Sequence, residues 1–126
     1  MAERVVPDIR NRVFQYSLRA IKLYKALQEA KDGAGWVIGK QFWRAATSIG
    51  ANIEETQAGE IRADFIHRYG IAQKEARETV YWLRLLAEGG IVSQRRLASL
   101  LKETEEIYAV IRAIIRNAKS GAKGKQ

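Results

Sequence analysis

After Pro7 the chain contains no further proline, the only one among its 126 residues. Proline is the residue that most forcibly ends a helix, because it lacks an N–H and its ring clashes with the preceding turn. Punctuation beyond position 7 is therefore left to glycine, in "KDGAG" at 31–35, "TQAGE" at 56–60 and "EGG" at 88–90. Between these breaks apolar residues recur at helical spacing. Ile9, Val13, Phe14, Ala20, Ile21, Tyr24 and Leu27 mark a first segment, with Asp8 placed to cap it. Ile38, Phe42, Ala45, Ala46, Ile49 and Ile53 mark a second; Phe65, Tyr69, Ala72, Ala76, Val80, Leu83 and Leu86 mark a third. Ser93 caps a fourth, which carries Leu97, Leu100, Leu101, Ile107, Ile111, Ile114 and Ile115.

No stretch alternates with period two between turn residues, so no strand is predicted. The spacing predicts an all-α protein with helices over about 9–31, 36–55, 61–88 and 93–118, followed by a disordered basic tail at 119–126. Four amphipathic helices joined by short breaks predict one domain, an antiparallel up-down-up-down bundle in which each helix buries one stripe.

"SIGANIEE" at 48–55 interrupts that pattern with chemistry. Ser48, Asn52 and Glu55 stand at i, i+4 and i+7, along the flank of the face centred on Ile49. Such a flank is a seam between buried and exposed surface, where polar groups bond a neighbouring helix or a partner. Gly50 weakens a helix by about 1 kcal/mol relative to alanine, and close helix approach is the expected compensation. Ala46 and Gly50 share their spacing with Ala72 and Ala76, which predicts close contact between the second and third helices.

Catalytic constellations are sparse. There is no cysteine and one histidine, His67, with Asp64 three residues before it. A di-metal bundle needs a carboxylate–histidine pair from each of two helices, and no second histidine exists. Glu54–Glu55 and Glu105–Glu106 are adjacent, and adjacent helical side chains diverge. No phosphate-binding glycine loop or nucleophile elbow is present. The expectation is a non-enzymatic protein with no cofactor and no metal.

Charge points to a partner instead. Lys and Arg number 22 against 14 Asp and Glu, a formal net charge of +8, which favours polyanions, nucleic acid first and an anionic membrane surface second. Arg12, Arg19, Lys22 and Lys25 gather on the first helix. Arg112, Arg116 and Lys119 lead into Lys123 and Lys125 at the C-terminal end. The first and last helices of a bundle can be neighbours, so these groups are expected to merge into one sequence-nonspecific surface for RNA or DNA. On the third helix Lys74 has Glu78 at i+4 to neutralise it. No run approaches the ~18 apolar residues of a membrane helix, so a soluble, cytoplasmic protein is expected. Trp36 and Trp43, at i and i+7, lie to one side of the Ile49 face and point to a second apolar surface hidden by oligomerisation.

"ATSIGANIEE" at 46–55 and "RADFIHRYGIAQKEARETVYWLRLL" at 62–86 also carry a likeness. From about Asp8 to Ala118 the chain resembles the four-helix-bundle proteins encoded within intervening sequences of bacterial large-subunit ribosomal RNA genes. Ser48, Ile49, Asn52, Glu55, Phe65, Ile71, Ala72 and Glu78 stand at that family's spacing; Thr56 departs from it, since many members have glycine there. The resemblance implies a homo-oligomer, typically a pentameric ring, with no established catalytic residues. It implies similarity to the accessory protein of diversity-generating retroelements, and so, as partners, structured RNA, a reverse transcriptase or a ribosomal component. Ser48, Gly50, Asn52, Glu55 and Glu78 are then a structural and interface signature.

Overall fold

The computed structural model describes residues 8–56 and 61–124, with side chains to Gly121. Four helices follow in order: α1 (Ile9–Glu29), α2 (Gly33–Glu54), α3 (Arg62–Glu88) and α4 (Gln94–Gly124). Asp8 caps α1 by accepting the Arg10 N–H at 3.1 Å, satisfying one of the donors that a helix start leaves unpaired. Asp32 accepts the Gly35 N–H at 3.0 Å, so α2 begins at Gly33 and most of "KDGAG" is its first turn. Ser93 caps α4 through the Arg96 N–H at 3.2 Å. The turn before it passes through Gly90 at φ 74°, a conformation that suits glycine.

The helices form the expected all-α antiparallel bundle. Tyr16, Phe42, Ile49, Ile53, Leu83, Leu86, Ile107 and Ile111 are its largest fully buried side chains, each worth about 1.5–3 kcal/mol of burial where the side chain is aliphatic or Phe. Thr79 and Thr104 are also buried, and each returns its hydroxyl to a carbonyl four residues back at 2.7 Å.

Helix α1 packs along α2, α2 along α3, and α3 along α4, whereas α1 and α4 touch at few points. Polar contacts join that seam. The Tyr16 hydroxyl bonds Thr104, Arg12 reaches Glu103 and Glu106, and Arg19 reaches Ser99. Helix α4 has 31 residues against 21 in α1, about 15 Å more at 1.5 Å per residue. Its last turns therefore run past the start of α1, alongside α3. This corrects the expected tail: residues 119–124 continue α4, since no proline stops it and Ile114, Ile115 and Ala118 keep part of their surface covered. Lys125 lies outside the described residues.

Helix α2 packs along α3 as expected, with Ala46, Ala72 and Ala76 buried in the core, but Gly50 faces the other neighbour. A Cβ on Gly50 would stand 3.3 Å from Ser17 Oγ and 3.5 Å from Val13, both on α1. A Cβ on Gly39 would stand 2.9 Å from Leu27 Cδ1 and 3.3 Å from Leu27 Cβ. Four residues of helix turn the wheel by 40°, so Ala46 faces the core while Gly50 has rotated towards α1. The ring of Trp43 completes this stripe, stacked on Tyr24 with centroids 4.8 Å apart.

Candidate functional site

The polar residues of "SIGANIEE" lie at the α2–α3 seam, as their position on the wheel requires. Asn52 donates to the Ser48 carbonyl at 2.9 Å and to Ser48 Oγ at 3.2 Å. Glu55 pairs with Arg68 of α3 at 3.6 Å. Glu78 accepts from Arg44 of α2 and, at 2.9 Å, from the Trp82 indole. Arg44 also lies 3.5 Å from Glu75. The pairing expected between Lys74 and Glu78 is thus replaced by a cross-helix one, because the Arg44 guanidinium has two carboxylates within reach. The Glu55–Arg68 and Arg44–Glu75/Glu78 pairs tie α2 to α3, while the Asn52–Ser48 bonds stay within α2.

Thr56, where the resemblance implies glycine, is buried. Its hydroxyl donates to the Ile53 carbonyl at 2.7 Å, and the Arg10 guanidinium donates to both its carbonyl and its hydroxyl. Burial raises the pKa of the neighbouring Tyr69 hydroxyl, which Thr56 hydrogen-bonds. The side chain that glycine would lack therefore joins the first turn of α1 to the end of α2 and the body of α3.

The cations divide into three groups with different work. Arg12 is a strut: it gives 2.8 and 2.9 Å hydrogen bonds to Glu103 and a 2.8 Å bond to Glu106. That bonding raises the pKa of Arg12 and lowers that of Glu103. A guanidinium with two carboxylates on it is not available to a phosphate, so Arg12 leaves the candidate interface.

Arg19 and Lys22 form a second group with Arg96, around a cleft between α1 and the first turns of α4. Lys25 is exposed one turn further along α1. The third group is on the other flank of α4. Arg112, Arg116 and Lys119, with Gln73, Ile115 and Ser120, line a cleft of about 370 Å³ at the α3–α4 seam. Arg77 of α3 lies one turn beyond Arg112, 6.0 Å over the Tyr108 ring. Arg62 comes within 4.0 Å of where a Gly121 Cβ would stand, on the opposite face of α4 from Arg112. From Tyr108 to Lys119 the strip runs about 17 Å along α4. Among the described residues, no carboxylate pairs with these five cations. The backbone of Lys123 continues the same helix.

The first-helix and C-terminal cations do not merge. Antiparallel packing sets the start of α1 beside the middle of α4, before the C-terminal cations begin, and Arg19, Lys22 and Lys25 belong to the other half of α1. Arg96, their neighbour, stands about 30 Å along α4 from Arg116. Arg62, Arg77 and Arg96 were not among the sequence candidates, because α3–α4 register is a tertiary property.

His67 is exposed, and among the described residues no three His, Asp or Glu side chains gather as a metal site. No described helix is long and apolar enough to cross a membrane.

An all-α bundle of four antiparallel helices with its cations sorted along particular seams defines the class of protein. The sequence model of the 23S rRNA-intervening sequence protein family matches residues 8–113, and the chain belongs to that family. A crystal structure of a protein of unknown function from the S23 ribosomal protein family of Bacteroides thetaiotaomicron is similar, with 37% identity and a TM-score of 0.78. The match covers 86% of this chain and 98% of that one. Comparison with curated proteins finds no match.

Proposed function

We propose that this protein works without catalysis, as a self-associating basic bundle that contacts RNA or DNA through the α3–α4 strip without regard to sequence. The observation that carries this reading is the row of Arg112, Arg116 and Lys119 on one seam, with Arg77 one turn beyond and no carboxylate paired to them among the described residues. Cations held in line release counterions when phosphates replace them, and the salt dependence of binding counts the contacts. Fluorescence-anisotropy titration with mixed RNA and DNA over a salt series tests it. Four contacts predict a slope of log K against log salt of about −2.8 to −3.6. Absence of binding at low salt sinks the reading.

Self-association rests on α1. Phe14, Leu18 and Ile21, at i, i+4 and i+7, are 58%, 43% and 37% exposed. Phe14 also lines an α1–α2 groove of about 650 Å³ floored in part by Val13, Gly50 and Ala51. Such a stripe is the kind of surface that another chain covers. Native mass measurement of the full chain counts the copies, with the five-membered ring as the expectation; a single-chain mass at micromolar concentration removes this part. The same stripe supports the rival reading, a protein–protein adaptor whose charge serves solubility. That reading prevails if nucleic acid fails to bind while other proteins do.

A further inference from the structure

Beyond Glu106 the chain has no acidic residue, so from Ile107 onward α4 carries positive charge alone. The carboxylates of α3 at this level, Glu75 and Glu78, turn the other way, to Arg44 of α2. The charges along the α3–α4 strip are therefore of one sign, Arg112, Arg116 and Lys119 from one helix and Arg77 from the other. Between them lie Gln73, Ser120 and Ile115, the last only 8% exposed. Aromatic rings near the strip are occupied. The Arg77 guanidinium lies over Tyr108, and Tyr69 is buried. Exposed rings stand elsewhere: Phe14 and Trp36 belong to α1 and α2, and Tyr81 packs edge-on against Trp82, whose indole turns to Glu78 at the α2 side.

We propose that the strip selects double-stranded over single-stranded nucleic acid and holds the duplex by its phosphate backbone, a selectivity that rests on the nucleic-acid contact proposed above. A single strand is flexible, and proteins that hold one offset the cost of ordering it by stacking its bases on aromatic rings. The strip offers a single strand its charges and no open ring. A duplex arrives straight and already stacked, with a charge every ~1.7 Å of axis against ~3.4 Å for one strand. Helices α3 and α4 side by side are about 20 Å wide. That is too broad for the ~12 Å major groove of B-form DNA or the narrow one of A-form RNA. The cations therefore meet phosphate and sugar, not base edges, and DNA and RNA duplexes serve alike. Ala109 and Ala113, beside the row on α4, are too short to hold a backbone away from it.

The probes are DNA and RNA duplexes of one mixed sequence, about 20 base pairs and so longer than the strip, with oligo-dT and oligo-U of equal length as single strands. Each is titrated with the full chain and followed by fluorescence anisotropy over a salt series. Four contacts give a slope near −3.6 on a duplex and about −2.8 on a single strand, so at 0.1 M salt both duplexes should bind at least about sixfold tighter. R112A/R116A removes two contacts and should shrink that preference about 2.5-fold. Both positions are exposed and alanine suits a helix, so helicity by circular dichroism should be retained. Single strands bound as tightly as duplexes, or a preference that R112A/R116A leaves intact, would overturn the selectivity while the nucleic-acid contact stands. A split of about tenfold between the DNA and RNA duplexes would show that groove shape is read, and would overturn the backbone contact. Binding of none of the four probes would remove the nucleic-acid contact and the selectivity together.

Discussion

The α3–α4 strip and the upper α1–α4 cleft each gather arginine and lysine without a carboxylate among the described residues, yet they are different surfaces. Along the strip, Arg112, Arg116 and Lys119 share their seam with Gln73, Ile115 and Ser120, a mixed polar and apolar lining. In the cleft the same charges rim a floor of Leu23, Val92, Leu97 and Leu100. A polyanion needs only the charges, and its binding falls steeply with salt. The floor of the cleft is already out of water, since Val92, Leu97 and Leu100 belong to the core of the bundle. Net charge alone would assign both regions to nucleic acid; the residues beneath the charge separate them.

The largest expected effect comes from splitting the strip from the cleft. R112A/R116A should reduce the salt slope of nucleic-acid binding by about 1.4–1.8 and the affinity at 0.1 M salt by about 25- to 60-fold. The triple reversal in the cleft, R19E/K22E/R96E, should leave the slope close to that of the wild type. A slope reduced equally by both sets of changes would erase the distinction and make one continuous surface of them.

The next effect concerns what closes the seam below the cleft. Arg12→Ala leaves Glu103 and Glu106 without their shared guanidinium and should cost about 1–2 kcal/mol in urea unfolding at neutral pH. Glu103 has its pKa lowered in the folded protein, chiefly by the Arg12 hydrogen bonds. Its contribution is therefore complete above the unfolded glutamate pKa of ~4.3 and disappears as pH falls through the lower folded value. The gap between wild type and Arg12→Ala should shrink below about pH 4; a constant gap down to pH 2 would show that the pair is not what titrates. The opposite sign holds at Tyr16, whose pKa is raised by burial. Its contribution is present below the unfolded tyrosine value of ~10 and fades at higher pH, so Tyr16→Phe should flatten the alkaline limb.

Smaller effects probe the apolar hairpin. Gly39→Ala puts a Cβ 3.3 Å from Leu27 Cβ and 2.9 Å from its Cδ1, and pressing α1 off α2 should cost about 1–3 kcal/mol. Gly50→Ala meets only the Ser17 hydroxyl at 3.3 Å, where better helix propensity offsets the crowding, and stability should change by less than about 1 kcal/mol. If Gly50→Ala proves the costlier of the two, the contact distances do not govern the α1–α2 approach.

Much of this was legible in the sequence. Helix count and direction follow from the periodicity between "KDGAG", "TQAGE" and "EGG", because each amphipathic stripe must be buried and each break is too short for anything but reversal. The seam position of Ser48, Asn52 and Glu55 follows from rotation about one helix. Arg112, Arg116 and Lys119 could be found as one row for the same reason, since residues at i, i+4 and i+7 share a face.

What tertiary structure decided is everything that depends on two helices at once. Rotation placed Gly50 against α1 instead of α3, gave Glu78 to Arg44 instead of Lys74, and carried α4 past the residues expected to fray. Axial register turned Arg12 from a candidate phosphate contact into a strut, and brought Arg77 from α3 to the cations of α4. A sequence specifies which face of a helix is buried through a local, repeating pattern. The partner that a side chain meets depends on how far one helix slides and turns against the next, and that is fixed by the packing of the whole core.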